Sequence, residues 1–155
     1  MLRITLAVLH LIALVMGMSS IDIRARNLRR IRTDANALKE AFTADAMWGV
    51  AAFLWLSTGL WRWIAGTEKS PSYYANNHVF MAKMGFFVLI ILLEIWPMIT
   101  LIRWRIASKK GTLPPVEQIA PTASRIAIIS RVQSLFLLFM LIAAVLMARG
   151  YGFSP

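Results

Sequence analysis

The chain has 155 residues, of which 59% are hydrophobic and 15% are charged, and its mean hydropathy is +0.65. A soluble domain of this length could not bury so much apolar surface, so the composition indicates that a lipid bilayer surrounds much of the protein. The absence of cysteine excludes disulfides, thiolate metal sites, iron–sulfur clusters and covalently attached haem. The net charge is +10, and the basic residues lie between apolar segments. This position indicates that they determine the topology of the protein in the membrane, so we expect no nucleic-acid partner.

Four apolar stretches are each long enough to cross a bilayer as a helix, which takes about 20 residues. They predict an all-α fold, a polytopic bundle of four transmembrane helices in one domain over residues 1–155. The helices are expected at approximately residues 3–23, 45–65, 77–105 and 126–149.

The segments between these stretches carry weaker patterns. Residues 34–44 predict a short amphipathic helix before the second span, and Asn76 and Asn77 offer a cap for the third helix. Three prolines between Gly111 and Pro121 predict a loop on the membrane surface.

Lysine and arginine collect in the loops that follow the first and third predicted helices. The first of these loops begins with Arg24 and the second with Arg103. The opposite side of the membrane has only Arg3, Arg62, Lys69 and Arg149. Positively charged loops stay in the cytoplasm, so we expect both termini on the outer side.

Polar residues inside apolar spans are energetically costly and usually face the interior of a bundle, so they are candidates for function. His10 lies in the first span among small residues, about 10 Å below the outer boundary. His78 and Lys83 lie near the outer start of the third helix, where either could reach His10. The structural alternatives are a histidine hydrogen-bonded to a neighbouring helix and a lysine that snorkels to the headgroups.

Three further charged residues lie in or beside the spans. Arg62 and Arg149 end the second and fourth helices on the side that holds His10. They either anchor these helix ends at the membrane boundary or bind the carboxylates of a ligand. Glu94 lies nearer the cytoplasm, and we expect Arg103 or Arg131 to neutralise it.

Together these residues predict a haem b site. Haem iron takes imidazole ligands, which His10 and His78 would supply, and Arg62 and Arg149 would bind the cofactor through its carboxylates. Lys83 suits a carboxylate of a cofactor or substrate. The predicted function is haem-dependent electron transfer or oxidation, with quinone as the partner. Whether the protein is an oxidoreductase enzyme is left open.

The alternative function is a non-catalytic membrane protein for copper handling or for the assembly of a partner complex. Imidazole and thioether groups bind copper, and Met81 and Met84 flank Lys83. Four short helices also expose much of their surface, so a homo-oligomer is compatible with either function.

Several short motifs resemble the HemJ-type protoporphyrinogen oxidases, which are bacterial four-helix haem b proteins. These motifs are Leu9-His10 in the first span, Thr58-Gly59-Leu60-Trp61 at the end of the second, and Lys83 in the third. The superfamily also includes copper-resistance D-type proteins. More closely, the chain is similar to a branch of small bacterial inner-membrane proteins of unknown function.

The resemblance implies that His10 binds haem, that Lys83 is the candidate catalytic residue, and that a porphyrin is the alternative partner to quinone. It also implies a multi-pass protein of the bacterial inner membrane, with both termini periplasmic. Gln133-Ser134 stands where the HemJ-type family has an Asn-Glu pair, so the resemblance supports the haem site more than the oxidase chemistry.

Overall fold

The computed structural model describes residues 1–66, 73–74 and 76–152, and most of these residues lie in four long helices. The helices are α1 (Leu2–Arg30), α2 (Ala37–Ile64), α3 (His78–Lys109) and α4 (Val116–Ala148). The prediction of an all-α membrane bundle is confirmed.

Three helices, α1, α3 and α4, are long and apolar enough to cross a membrane by length and composition. The α2 helix is nearly as long, but its tryptophan, glycine and hydroxyl residues lower its mean hydropathy. It nevertheless exposes large apolar side chains, as its neighbours do: Met47, Val50, Phe53, Leu56 and Leu60. Apolar side chains exposed along all four helices are compatible with contact with lipid around the bundle.

Neighbouring helices in the bundle run antiparallel. On α1 and α2, for example, His10 contacts Thr58 and Arg24 contacts Asp45. The residue numbers therefore rise along α1 where they fall along α2. The α1 helix also packs on α4, and α4 packs on α3, whereas α2 and α3 barely touch. The order around the bundle is therefore α2–α1–α4–α3, and the bundle is open along the seam between α2 and α3.

Two clusters of apolar side chains form the core. The cluster at the basic end is rich in alanine, and the cluster in the other half contains larger side chains such as Trp48 and Trp55. Small residues allow helix backbones to approach closely. At Gly17, a Cβ atom would lie only 2.9 Å from Cζ3 of Trp48, so the packing of α1 on α2 requires glycine there.

The helices extend further at the basic end than the sequence analysis predicted. The α1 helix continues through Arg30, and residues 37–44 form the start of α2 instead of a separate helix. The predicted loop begins at Gly111 as expected but ends at Pro115 and not at Pro121, because α4 begins at Val116 and buries Ile119 in the alanine-rich cluster. The predicted cap of the third helix is confirmed, since the side chain of Asn77 accepts a hydrogen bond from the backbone N–H of Phe80.

Candidate functional site

A cavity of about 370 Å³ lies at the α2–α3 seam, in the half of the bundle away from the basic loops. All four helices line it, together with Tyr73 and Tyr74, and its walls are mostly apolar and aromatic. Ligand pockets have volumes of roughly 300–1,000 Å³ and combine apolar walls with a few polar groups. This cavity therefore has the size and the lining of a small-molecule site.

His10 belongs to the wall that α1 contributes to the cavity, and its protonation follows from its neighbours. Its Nδ1 atom lies 2.9 Å from the hydroxyl oxygen of Thr58. That hydroxyl lies 2.7 Å from the carbonyl oxygen of Leu54 and donates its single proton there. We therefore assign the ring proton to Nδ1 of His10, which donates to Thr58 and leaves the lone pair of the neutral ring on Nε2.

Two further residues of α2 hold the imidazole ring in place. The ring of Trp55 stacks on that of His10 with centroids 5.6 Å apart and an interplanar angle of 26°. A Cβ atom at Gly59 would lie 3.1 Å from Cε1 of His10, so only a hydrogen at this position leaves the ring its present place. The Thr58-Gly59 pair therefore fixes both the tautomer and the position of His10.

Three of the five predicted site residues, His10, Arg62 and Lys83, line this one cavity. Arg62 lies in the last turn of α2 and Lys83 near the start of α3, so the two cations lie on opposite sides of the α2–α3 seam. Both side chains are partly buried. The cavity thus combines an imidazole and two cations with an apolar lining.

The other two predicted site residues do not line the cavity. His78 is exposed at the first position of α3, where its backbone N–H donates a hydrogen bond of 2.9 Å to the carbonyl of Gly152. Arg149 is exposed directly after α4. The predicted roles of His78 as a metal ligand and of Arg149 as a cofactor-binding residue stay predictions. Their positions outside the cavity do not support these roles.

A second polar cluster lies toward the basic end of the bundle and is centred on Arg24 of α1, whose side chain has 0% exposure. Its Nη1 atom donates to Asp45 of α2 at 2.9 Å and to Glu94 of α3 at 2.6 Å. Its Nη2 atom donates to the other carboxylate oxygen of Glu94 at 2.9 Å. One guanidinium therefore joins two carboxylates from helices that barely touch each other.

The α4 helix completes this cluster. Nε of Arg24 donates to Ser130 at 3.1 Å and Nη2 donates to Gln133 at 3.0 Å, so all five N–H donors of the guanidinium are used. The amide of Gln133 donates in turn to Glu94 at 2.8 Å. We call these five residues the Arg24 cluster; its hydrogen bonds connect all four helices, which indicates a structural role.

The partner of Glu94 corrects one prediction. Arg24 neutralises this carboxylate, so the expectation that Arg103 or Arg131 does so was wrong. The sequence analysis placed Arg24 in a cytoplasmic loop, although Arg24 shares helical spacing with the buried residues Ile21 and Leu28. That spacing is the pattern that could have identified a buried arginine.

Apolar side chains fill the bundle between the cavity and the Arg24 cluster. Leu14 and Ile21 of α1 pack there with Trp48 of α2 and Leu137 of α4. At 1.5 Å per residue, His10 and Arg24 lie about 21 Å apart along α1. The two polar sites are thus separated by a layer of tightly packed hydrophobic residues.

The chain belongs to the DUF2214 family, described as predicted membrane proteins, because the model of that family matches residues 2–152. No curated protein and no solved structure matches the chain significantly.

Proposed function

We propose that this DUF2214 protein binds haem b in the cavity at the α2–α3 seam and uses it for electron transfer or oxidation. The observation that carries the proposal is the hydrogen bond from Nδ1 of His10 to Thr58, which leaves Nε2 with its lone pair. A metal-binding histidine in proteins characteristically donates its other ring N–H in this way. His10 is the single histidine among the described residues that line the cavity, so we expect one axial ligand from the protein.

The charges around the cavity suit the same cofactor. Haem b carries two propionate carboxylates beside a large apolar ring. Arg62 and Lys83 offer one cation on each side of the seam, and Trp55 and Phe87 are among the aromatic side chains of the walls. Charge-assisted hydrogen bonds to carboxylates are about twice as strong as neutral ones, so two such contacts would fix the orientation of the ring.

The open seam supports a lipid-soluble reaction partner. When bound, haem supplies an iron atom that accepts or donates single electrons. The α2 and α3 helices barely touch, so the cavity has an opening between them that faces the side of the bundle. We infer that a quinone or a porphyrin exchanges electrons there without leaving the membrane.

The contacts favour haem over copper handling, the alternative function. Within the described ranges, no three histidine, aspartate or glutamate side chains come together as a possible metal site. Met84 lines the cavity, whereas Met81 is 60% exposed. Haem needs fewer protein ligands, since its own ring coordinates the iron and one imidazole completes the attachment.

The test of the proposal is the absorption spectrum of the protein purified in a mild detergent from cells supplied with haem precursors. We expect a Soret band, and a pyridine haemochrome assay should identify the cofactor as haem b. Metal analysis of the same sample should find iron in proportion to haem. Copper without haem would replace the proposal with the copper alternative.

Replacing Thr58 with valine should weaken haem binding about tenfold, the lower end of the effect of losing a residue that orients a metal ligand. Valine cannot accept a hydrogen bond from Nδ1 of His10, so the ring would lose its fixed tautomer and one of the contacts that orient it. Haem titration followed by absorbance measures the change. Ser57→Ala is the matched control, because the hydroxyl of Ser57 bonds to the carbonyl of Phe53 on an exposed face. Equal affinities of both variants would contradict the role of Thr58.

Replacing Lys83 with methionine should leave membrane insertion intact but lower the affinity for haem about tenfold, the loss of one charge-assisted hydrogen bond. Lys83→Arg should restore binding only partly, since a planar guanidinium differs in shape from an ammonium group. Lys109→Met, at the exposed end of α3, is the control. Wild-type affinity together with a raised melting temperature in Lys83→Met would identify Lys83 as a lysine that only snorkels to the headgroups.

We further propose that the protein lies in the bacterial inner membrane with both termini periplasmic. The arginine-rich ends of α1 and α3 would then face the cytoplasm. Alkaline phosphatase fused to the C-terminus should be active, because this reporter folds only outside the cytoplasm, whereas a fusion in the loop after α1 should be inactive. The reverse pattern would invert the orientation and place the cavity on the cytoplasmic side.

A further inference from the structure

A groove of about 420 Å³ runs between α1 and the start of α2, at the basic end of the bundle. It lies on the outside of the helix pair and is separate from the cavity at the α2–α3 seam. Its lining consists of Ile23, Asn27, Asn36, Lys39, Glu40, Thr43, Ala44 and Met47. The proposed haem function uses none of these residues.

Asn27 supplies an amide to the inner wall of the groove. Its side chain lines the groove, although the residue as a whole is only 5% exposed. Within the part of the chain that the structure describes, its amide makes no hydrogen bond. Its polar atoms reach the open space of the groove, where they can bond to a molecule that enters it.

The other polar residues of the groove indicate the chemistry of that molecule. Lys39 and Glu40 place one cation and one anion in the lining, and Asn36 adds a second amide. A complementary headgroup therefore carries a negative and a positive charge of its own. A phosphate group could accept hydrogen bonds from Asn27 and Lys39, and an ammonium group could donate to Glu40.

The apolar part of the groove indicates that the headgroup belongs to a lipid. Ile23 and Met47 line it and are 38% and 45% exposed, so their side chains continue the lipid-facing surface of α1 and α2. Acyl chains can lie along these side chains while the headgroup stays in the groove. The geometry points to a binding site for one aminophospholipid, with a phosphate and a primary ammonium group, from the leaflet at the basic end.

Native mass spectrometry of the delipidated protein, titrated with phosphatidylethanolamine, phosphatidylcholine or phosphatidylglycerol, tests this site. We expect one phosphatidylethanolamine per protein and weaker binding of phosphatidylcholine, whose methylated ammonium cannot donate a hydrogen bond to Glu40. Inorganic phosphate at the same concentrations should not displace the lipid. Equal binding of the three lipids, or displacement by phosphate, would overturn the assignment.

Variants locate the bound lipid. Lys39→Ala should lower the affinity for phosphatidylethanolamine about tenfold, as expected for the loss of one charge-assisted hydrogen bond. Glu40→Gln should remove the preference for phosphatidylethanolamine over phosphatidylcholine. Asn27→Ala should weaken the binding of both lipids. Lys110→Ala, an exposed cation at the same end but outside the groove, is the matched control. Lys39 and Glu40 are exposed, so their variants should fold. Unchanged lipid binding in both the Lys39 and the Glu40 variant would exclude this groove as the binding site.

Discussion

Replacing Arg24 with methionine is expected to lower the free energy of unfolding by about 3–5 kcal/mol, the range found when one partner of a buried ion pair is removed. The variant would leave the carboxylates of Asp45 and Glu94 facing each other, with exposed fractions of only 10% and 14%. It would also remove one of the donors that join α2 to α3, leaving Arg105 of α3, which lies 3.8 Å from Asp45 and donates to the carbonyl of Phe42. Unfolding of the purified protein in detergent, followed by circular dichroism, measures the loss.

Two companion variants separate the buried cluster from a general effect of removing charge. Arg26→Met removes an arginine that is 61% exposed and pairs with Asp22 at 3.2 Å, so it should change stability little. The double variant Arg24→Met/Glu94→Leu should recover part of the loss, because one stranded carboxylate is gone. A stable Arg24→Met single variant would show that the cluster does not hold the helices together.

Replacing His10 with alanine is expected to reduce the haem content to about a tenth of the wild-type value or less, because the iron loses its imidazole ligand. The change is confined to the wall of the cavity, where Thr58 would keep its hydrogen bond to Leu54. The ratio of Soret to protein absorbance after purification measures retention. His10→Gly supplied with free imidazole should regain haem, since a small ligand can occupy the vacated space.

His78→Ala is the comparison that separates the two histidines. His78 is exposed and does not line the cavity, so this variant should retain haem with an unchanged spectrum. A spectrum that is unaltered in His10→Ala and lost in His78→Ala would reverse the assignment. Changes in both spectra would mean that the iron has two protein ligands.

The sequence predicts the helices well because a bilayer requires long apolar segments, but it predicts their ends poorly. At the basic end, α1 continues past the apolar run because Ala25 and Leu28 bury in the alanine-rich cluster. Likewise, α4 begins before its apolar run because Ala120 and Ala123 pack in that cluster. Such ends depend on tertiary contacts, which charge and proline patterns do not reveal.

The cavity could be predicted only in part, for a related reason. His10, Arg62 and Lys83 could be selected because polar side chains are rare in apolar spans. Which of them meet depends on the order of the helices around the bundle, and that order was not evident from the sequence. The roles of Thr58 and Trp55 depend on a hydrogen bond and a ring contact across α1 and α2. Neither residue is unusual in a membrane helix.

The hydrophobic layer between the cavity and the Arg24 cluster bears on the energetics of any reaction at His10. Leu14, Trp48 and Leu137 provide no groups that could pass a proton along the bundle axis. On the proposed function, protons consumed or released in the cavity would therefore exchange with the same membrane surface that the cavity adjoins. On the proposed function, electrons carried by a lipid-soluble partner would enter and leave through the seam. Turnover would then be electroneutral, and the membrane voltage would neither drive the reaction nor oppose it.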